Sequence, residues 1–201
     1  MHGPSATPHR GRGRALRRWL LRLAFLFVAT LAALWAWHQP FMQRGRLLWE
    51  LSRMPPPTAL PVPVQGVEAR RIADTFGAPR GTNRTHAGVD IFARRGTPVL
   101  SATAGIVMLI RDGGLGGKQV WVLGPGRERH YYAHLDDWAP SLAQGDIVRP
   151  GDVLGFVGTT GNARGTPPHL HYGIYGGAGA YDPLPLLKAY PGSDLRPMPS
   201  R

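Results

Sequence analysis

Residues 105–123 read Gly-Ile-Val-Met-Leu-Ile-Arg-Asp-Gly-Gly-Leu-Gly-Gly-Lys-Gln-Val-Trp-Val-Leu, two apolar runs around a glycine-rich turn. β-Branched and aromatic side chains pack well on a pleated surface and lose rotamer freedom in a helix. The runs therefore predict strands over 105–110 and 119–123, with 112–117 as the hairpin loop. The same texture repeats outward. Residues 129–135, 153–157 and 170–175 are further short runs bounded by Gly or Pro, as at Gly124-Pro125-Gly126. Several short strands at this spacing indicate an all-β domain over 66–187, built on an antiparallel sheet. Only 183–190 reads as helix, short and peripheral. Residues 188–201 read as a Pro-rich, frayed tail.

Two tempting motifs fail on inspection. The 112–119 loop has glycines and Lys118 but lacks the first Gly and the final Ser/Thr of a phosphate loop. Gly151-Asp152-Val153-Leu154 resembles lipoyl and biotinyl carriers, yet neither Lys118 nor Lys188 sits where a carrier's modifiable lysine must.

Upstream, residues 19–37 are almost wholly apolar, broken only by Arg22 and Thr30. As a helix this run measures roughly 28 Å, close to the thickness of a bilayer's hydrocarbon core. Arg22 lies one turn from its start and can snorkel to the headgroups, and Trp35 and Trp37 fall at the other interface. Residues 1–18 carry Arg10, Arg12, Arg14, Arg17 and Arg18 among Gly, Pro and Ser, a disordered basic tail expected to stay in the cytoplasm. Thr30-Leu31-Ala32 is a poor signal-peptide cleavage site, and the apolar run continues past it, so an uncleaved anchor is expected. Residues 38–65 read as a stalk: an amphipathic helix over 41–53, then Pro-rich, extended chain. The expectation is a single-pass protein of the cytoplasmic (inner) membrane, with its β domain in the periplasm or cell envelope.

The formal net charge of +12 raises the question of nucleic acid. Residues 1–53 hold nine Arg against one Glu, so +8 of the excess sits beside the apolar helix as a topology signal. No nucleic-acid partner is expected. With no cysteine, there is no disulfide framework, no lipidated cysteine and no thiolate metal site, and any metal must be held by His, Asp or Glu.

Five histidines fall within the β domain: His86, His130, His134, His169 and His171. On a strand, His169 and His171 project from one face and Leu170 from the other. Two such imidazoles can share a metal, or one can bind it while the other handles a proton. His86 and Asp90 would lie roughly 13 Å apart if extended, so the chain should turn at Ala87-Gly88, where glycine allows unusual φ, to bring them together. In the 129–135 strand, His130, Tyr132 and His134 share a face by parity.

Thr85-His86-Ala87-Gly88-Val89-Asp90, Tyr132-Ala133-His134-Leu135 and His169-Leu170-His171-Tyr172 together resemble the lysostaphin/LytM-type zinc endopeptidases, cell-wall enzymes that cut peptide bonds in peptidoglycan. Arg94-Arg95-Gly96-Thr97-Pro98-Val99, Gly151-Asp152-Val153-Leu154-Gly155 and Gly158-Thr159-Thr160-Gly161 are similar too, and the resemblance covers about 66–187. It implies an antiparallel β metallopeptidase domain with Zn2+ held by His86, Asp90 and His171, and with His134 and His169 as the catalytic histidines. It implies peptidoglycan peptides as substrate, with Asn83, Arg84, Thr85 and Tyr132 as candidate substrate contacts. His130 has no place in the motif and reads as structural or surface. Gly173 stands where relatives often carry a larger, acidic residue. Two imidazoles and one carboxylate leave Zn2+ with a net positive charge and an open fourth position, which suits hydrolysis. Of the bonds that stay open, a D-Ala–diaminopimelate crosslink is expected from the inner-membrane anchor and the Arg/Ala/Pro-rich composition, with a glycine bridge as the alternative. The rival expectation is a non-catalytic wall-binding module or an activator of another hydrolase.

Overall fold

In the computed structural model the described residues are 10–81 and 83–192. The chain divides into two compact units that part between Gly45 and Arg46.

The first unit is dominated by α1 (Arg10–Trp37), whose 22-residue stretch Leu16–Trp37 is long and apolar enough to cross a membrane. The helix starts inside the segment expected to be a disordered tail. Once the apolar run has nucleated a helix, extending it costs little per residue, and Arg and Ala propagate well. Residues 1–9 of that expected tail lie outside the described residues. A second helix, α2 (Pro40–Arg53), matches the amphipathic segment read from the sequence.

Among the described residues of the second unit nine strands form one antiparallel sheet: β1 (Val89–Phe92), β2 (Pro98–Leu100), β3 (Gly105–Asp112), β4 (Lys118–Leu123), β5 (Arg129–Trp138), β6 (Ile147–Val148), β7 (Val153–Val157), β8 (His169–Gly176) and β9 (Gly179–Tyr181). The main order is β1-β8-β5-β4-β3-β6, with β7 on β5, β2 on β7 and β9 on β8. The short helix α3 (Leu184–Ala189) falls where the sequence placed one.

Period-two alternation sorts each central strand onto two faces. Val89 and Ile91, Val120 and Val122, and Leu170, Tyr172 and Ile174 are fully buried in the core. Their neighbours Asp90, Trp121, His169, His171 and Tyr175 stand on the opposite face and line a groove. Burying each core side chain contributes about 1.5–3 kcal/mol, so the core fixes the register that the groove inherits.

The expected stalk is not free along its whole length. Leu60, Val62 and Val64 are buried in the sheet's own core. The Leu60 N–H donates to Leu186 O and the Leu100 N–H to Pro63 O, while Val64 bridges Val99. Residues 60–64 thus pack with the β domain, because Leu-Pro-Val-Pro-Val alternates apolar side chains that an edge strand can take up.

His130 is fully buried, with Nδ1 2.7 Å from the Tyr172 hydroxyl and no partner for Nε2. Burial lowers its pKa to about 3, against 6.5 when exposed. The unfolded chain thus binds the extra proton between these values, and stability falls as pH drops from 6.5 toward 3, by about 1.4 kcal/mol per pH unit once the unfolded histidine is protonated. Urea unfolding of the wild type should show this acid loss, and His130→Phe should flatten it by one proton's worth. An unchanged slope in the variant would show that His130 is not the group responsible.

Candidate metal centre

The groove's chemistry starts from the pairing of β1 with β8, which sets Asp90 directly opposite His171. Directly opposed side chains on one face have Cβ atoms about 4.5–5.5 Å apart, so carboxylate and imidazole meet without distortion. His86 reaches the same point from the loop before β1. Gly88 makes this possible by lacking a side chain: a Cβ there would lie 2.4 Å from Tyr172 O and 2.9 Å from the His171 ring. The glycine is required for close approach, and its φ is not positive.

Three donor atoms converge. His86 Nε2 lies 2.8 Å from His171 Nδ1 and 3.0 Å from Asp90 Oδ1, and His171 Nδ1 lies 3.2 Å from the same oxygen. His86 Nδ1 is 2.7 Å from the Thr75 carbonyl, which can only accept, so Nδ1 carries the proton and Nε2 presents a bare lone pair. The Thr75 hydroxyl also accepts the Asp90 N–H at 3.1 Å. Burial alone would raise the Asp90 pKa, but the adjoining imidazoles of His171 and His86 and the Arg80 guanidinium on Oδ2 hold the carboxyl far below the usual range. Burial lowers the His171 pKa, with the Asp90 hydrogen bond opposing it. Two imidazoles and a carboxylate so close need a shared cation or proton between them. Tetrahedral ligands at about 2.0–2.1 Å from a metal stand roughly 3.3 Å apart, so a small divalent ion fits the set with little adjustment.

Beside this trio stand two more imidazoles. His169 Nδ1 donates to Pro167 O at 2.8 Å and His134 Nδ1 to Thr160 O at 2.9 Å, so both Nε2 atoms are bare. The ring centroids of His134 and His169 are 5.1 Å apart, and His169 Nε2 is 3.9 Å from Asp90 Oδ1. Burial, then the neighbouring His171 and His169, lower the His134 pKa to about 4.

Strand parity would have put His134 in the core with His130 and Tyr132. The backbone prevents this by adopting φ +64° at His134, where the β4–β5 register slips between Tyr132 and Leu135. Loops on either side clamp the bulge. The His134 N–H donates to Gly116 O at 2.9 Å, and the Thr160 hydroxyl donates to Leu135 O at 2.8 Å. A bulge of this kind re-aims a side chain beside a functional site.

The chain matches the model of peptidase family M23 over residues 84–183. It superposes on the crystallised catalytic domain of lysostaphin from Staphylococcus simulans with a TM-score of 0.53 and 31% identity, covering 59% of this chain and 92% of that one. The chain belongs to peptidase family M23. The L-Ala–D-Glu endopeptidase of Bacillus subtilis is 38% identical over 143 residues, 66% of this chain and 43% of that protein. A DD-carboxypeptidase/endopeptidase of Neisseria meningitidis is 44% identical over 91 residues, 45% of this chain and 20% of that protein. The chain thus spans less than half of either curated relative.

The M23 fold brings His86, Asp90, His134, His169 and His171 into one groove, and Thr85 and Arg84 line it. Asn83 is exposed and is not among the lining residues. Tyr132 is no substrate contact. It is fully buried, its pKa raised to about 12 by burial, and its hydroxyl accepts the Ala102 N–H. Its neighbour Tyr131 faces the groove instead, stacked on Trp121 at 4.3 Å. Odd–even counting along 129–135 was the available signal for Tyr131. Thr75 and Arg80 leave no trace in the motif spacing.

The left-handed His134 should register in stability. His134→Gly should be about 1 kcal/mol more stable than His134→Ala, because only glycine adopts this φ without strain. Equal denaturant midpoints for the two variants would contradict a strained backbone there.

Proposed function

We propose that this chain is a zinc-dependent endopeptidase that hydrolyses peptide crosslinks of bacterial peptidoglycan. We place it at the cytoplasmic membrane, anchored by α1, with the β domain in the periplasm or cell envelope. One observation carries the catalytic reading: three electron-pair donors within 3.2 Å of one another, next to two imidazoles whose Nε2 atoms are bare. A wall-binding module has no use for such an arrangement. The roles named in the relatives, cleavage at L-Ala–D-Glu and at DD linkages, support the substrate class. The arginines that precede the apolar helix, with none of its last-turn residues basic, support the orientation.

His86, Asp90 and His171 would hold the ion, and a His2Asp set without sulfur suits zinc in a hydrolytic site. Zinc bound there would acidify a water molecule and polarise the scissile carbonyl. The remaining work falls to side chains. Arg80 occupies Asp90 Oδ2 and leaves Oδ1 turned to the imidazoles. Thr75 fixes the His86 ring through its carbonyl. His169 and His134 each donate Nδ1–H to a backbone oxygen, which leaves Nε2 as the free nitrogen, so either Nε2 can take a proton from water and return it to the leaving amine. The buried setting strengthens these transfers by excluding bulk water.

The test uses the full-length chain in detergent with one equivalent of zinc and purified crosslinked muropeptides, with products identified by mass spectrometry. New peptide termini are expected from the wild type. His169→Ala and His134→Ala should each lower kcat by about 10²–10⁴ while retaining the metal. Stoichiometric zinc with no cleavage of any crosslink type would overturn the enzymatic reading.

A further inference from the structure

The charged side chains lining the groove, histidines aside, are Arg80, Arg84, Arg111 and Asp90. Arg80 is committed to Asp90. Arg84 and Arg111 are exposed, and among the described residues neither has a carboxylate within ion-pair reach. Nothing on the floor offsets them. Position 173 cannot carry a side chain, since a Cβ there would lie 2.8 Å from Ala87 O and 3.2 Å from the Tyr175 ring. The groove's wall also carries an aromatic cluster, with Trp121 4.3 Å from Tyr131 and 5.3 Å from Tyr175. Two unpaired guanidiniums beside an uncharged aromatic wall form a field that favours an anionic ligand, and a guanidinium pairs with a carboxylate in two parallel hydrogen bonds.

We infer that the groove selects peptides bearing free carboxylates near the scissile bond, read by Arg84 and Arg111, over neutral bridges such as oligoglycine. The inference rests on the peptidase reading of the same groove. A neutral peptide leaves both cations facing only water and gains nothing from them. An anionic stem peptide neutralises them and is drawn in from a distance at low salt.

Two crosslinked muropeptides that differ only in having their free carboxylates intact or amidated isolate the charge. Binding is measured by calorimetry on the zinc-loaded full-length His169→Ala chain, and cleavage on the wild type. The carboxylate form should bind about tenfold tighter, the gain from one charge-assisted pair. Adding Arg84→Gln and Arg111→Gln should bring the two forms within about twofold by weakening the carboxylate form more than the amidated one, with the thermal midpoint unchanged. Equal binding of both forms, no binding of either, or a preference that survives the double substitution would each overturn the inference. Cleavage without preference would remove the charge reading and keep the peptidase. Selective binding with no wild-type cleavage would do the reverse.

Discussion

The register of β8 against β1 is the constraint on which the site depends. With Asp90 opposite His171, the alternation of both strands sends Val89, Ile91, Leu170, Tyr172 and Ile174 inward and their neighbours outward. A slip of one residue would turn both histidines of β8 into the core and expose Leu170 and Tyr172. Burying five large apolar side chains opposes such a slip far more strongly than any contact among the ligands could. The candidate metal centre is therefore placed by the hydrophobic core beneath it.

Loops supply what the sheet does not. The Nδ1 atoms of His86, His134 and His169 each face a backbone carbonyl, of Thr75, Thr160 and Pro167 respectively. A carbonyl has no proton to give, so each contact fixes both the ring's orientation and the nitrogen that holds its hydrogen. His171 is the exception, with Nδ1 turned to Asp90 and His86. The Thr159-Thr160-Gly161 segment also holds the strained turn at His134, with the Thr160 hydroxyl accepting the Lys118 N–H while it donates to Leu135 O. Strain at His134 is sustained by hydrogen bonds from two separate loops, as expected where an unfavourable φ serves a site.

Much of this was legible in the sequence. The β-branched runs marked β3, β4, β5, β7 and β8, because their side chains pack on a pleated sheet whatever the neighbours. Alternation alone placed His169 and His171 on a common face. Features that depend on partners distant in sequence were not legible. Parity grouped His134 with Tyr132, and only the clamp from Gly116 and Thr160 turns it to the groove. For a related reason the motif draws attention to Tyr132, which the structure buries, while Tyr131 lines the groove. Leu60-Pro61-Val62-Pro63-Val64 is extended whether it is solvated polyproline or a strand-like edge, and its pairing with Val99 decides between them. Spacing alone suggests conformational freedom at Gly88, whereas the approach of Tyr172 and His171 makes the absence of a side chain the requirement.

The central claim is that one zinc ion is held by two imidazoles and one carboxylate. Zinc K-edge X-ray absorption on the metal-loaded full-length chain tests it most directly. A shell of nitrogen and oxygen neighbours at roughly 2.0–2.1 Å, with outer-shell scattering from two imidazoles that drops to one in His171→Ala, is the predicted result. An all-oxygen shell, or imidazole scattering that the substitution leaves unchanged, would contradict the account.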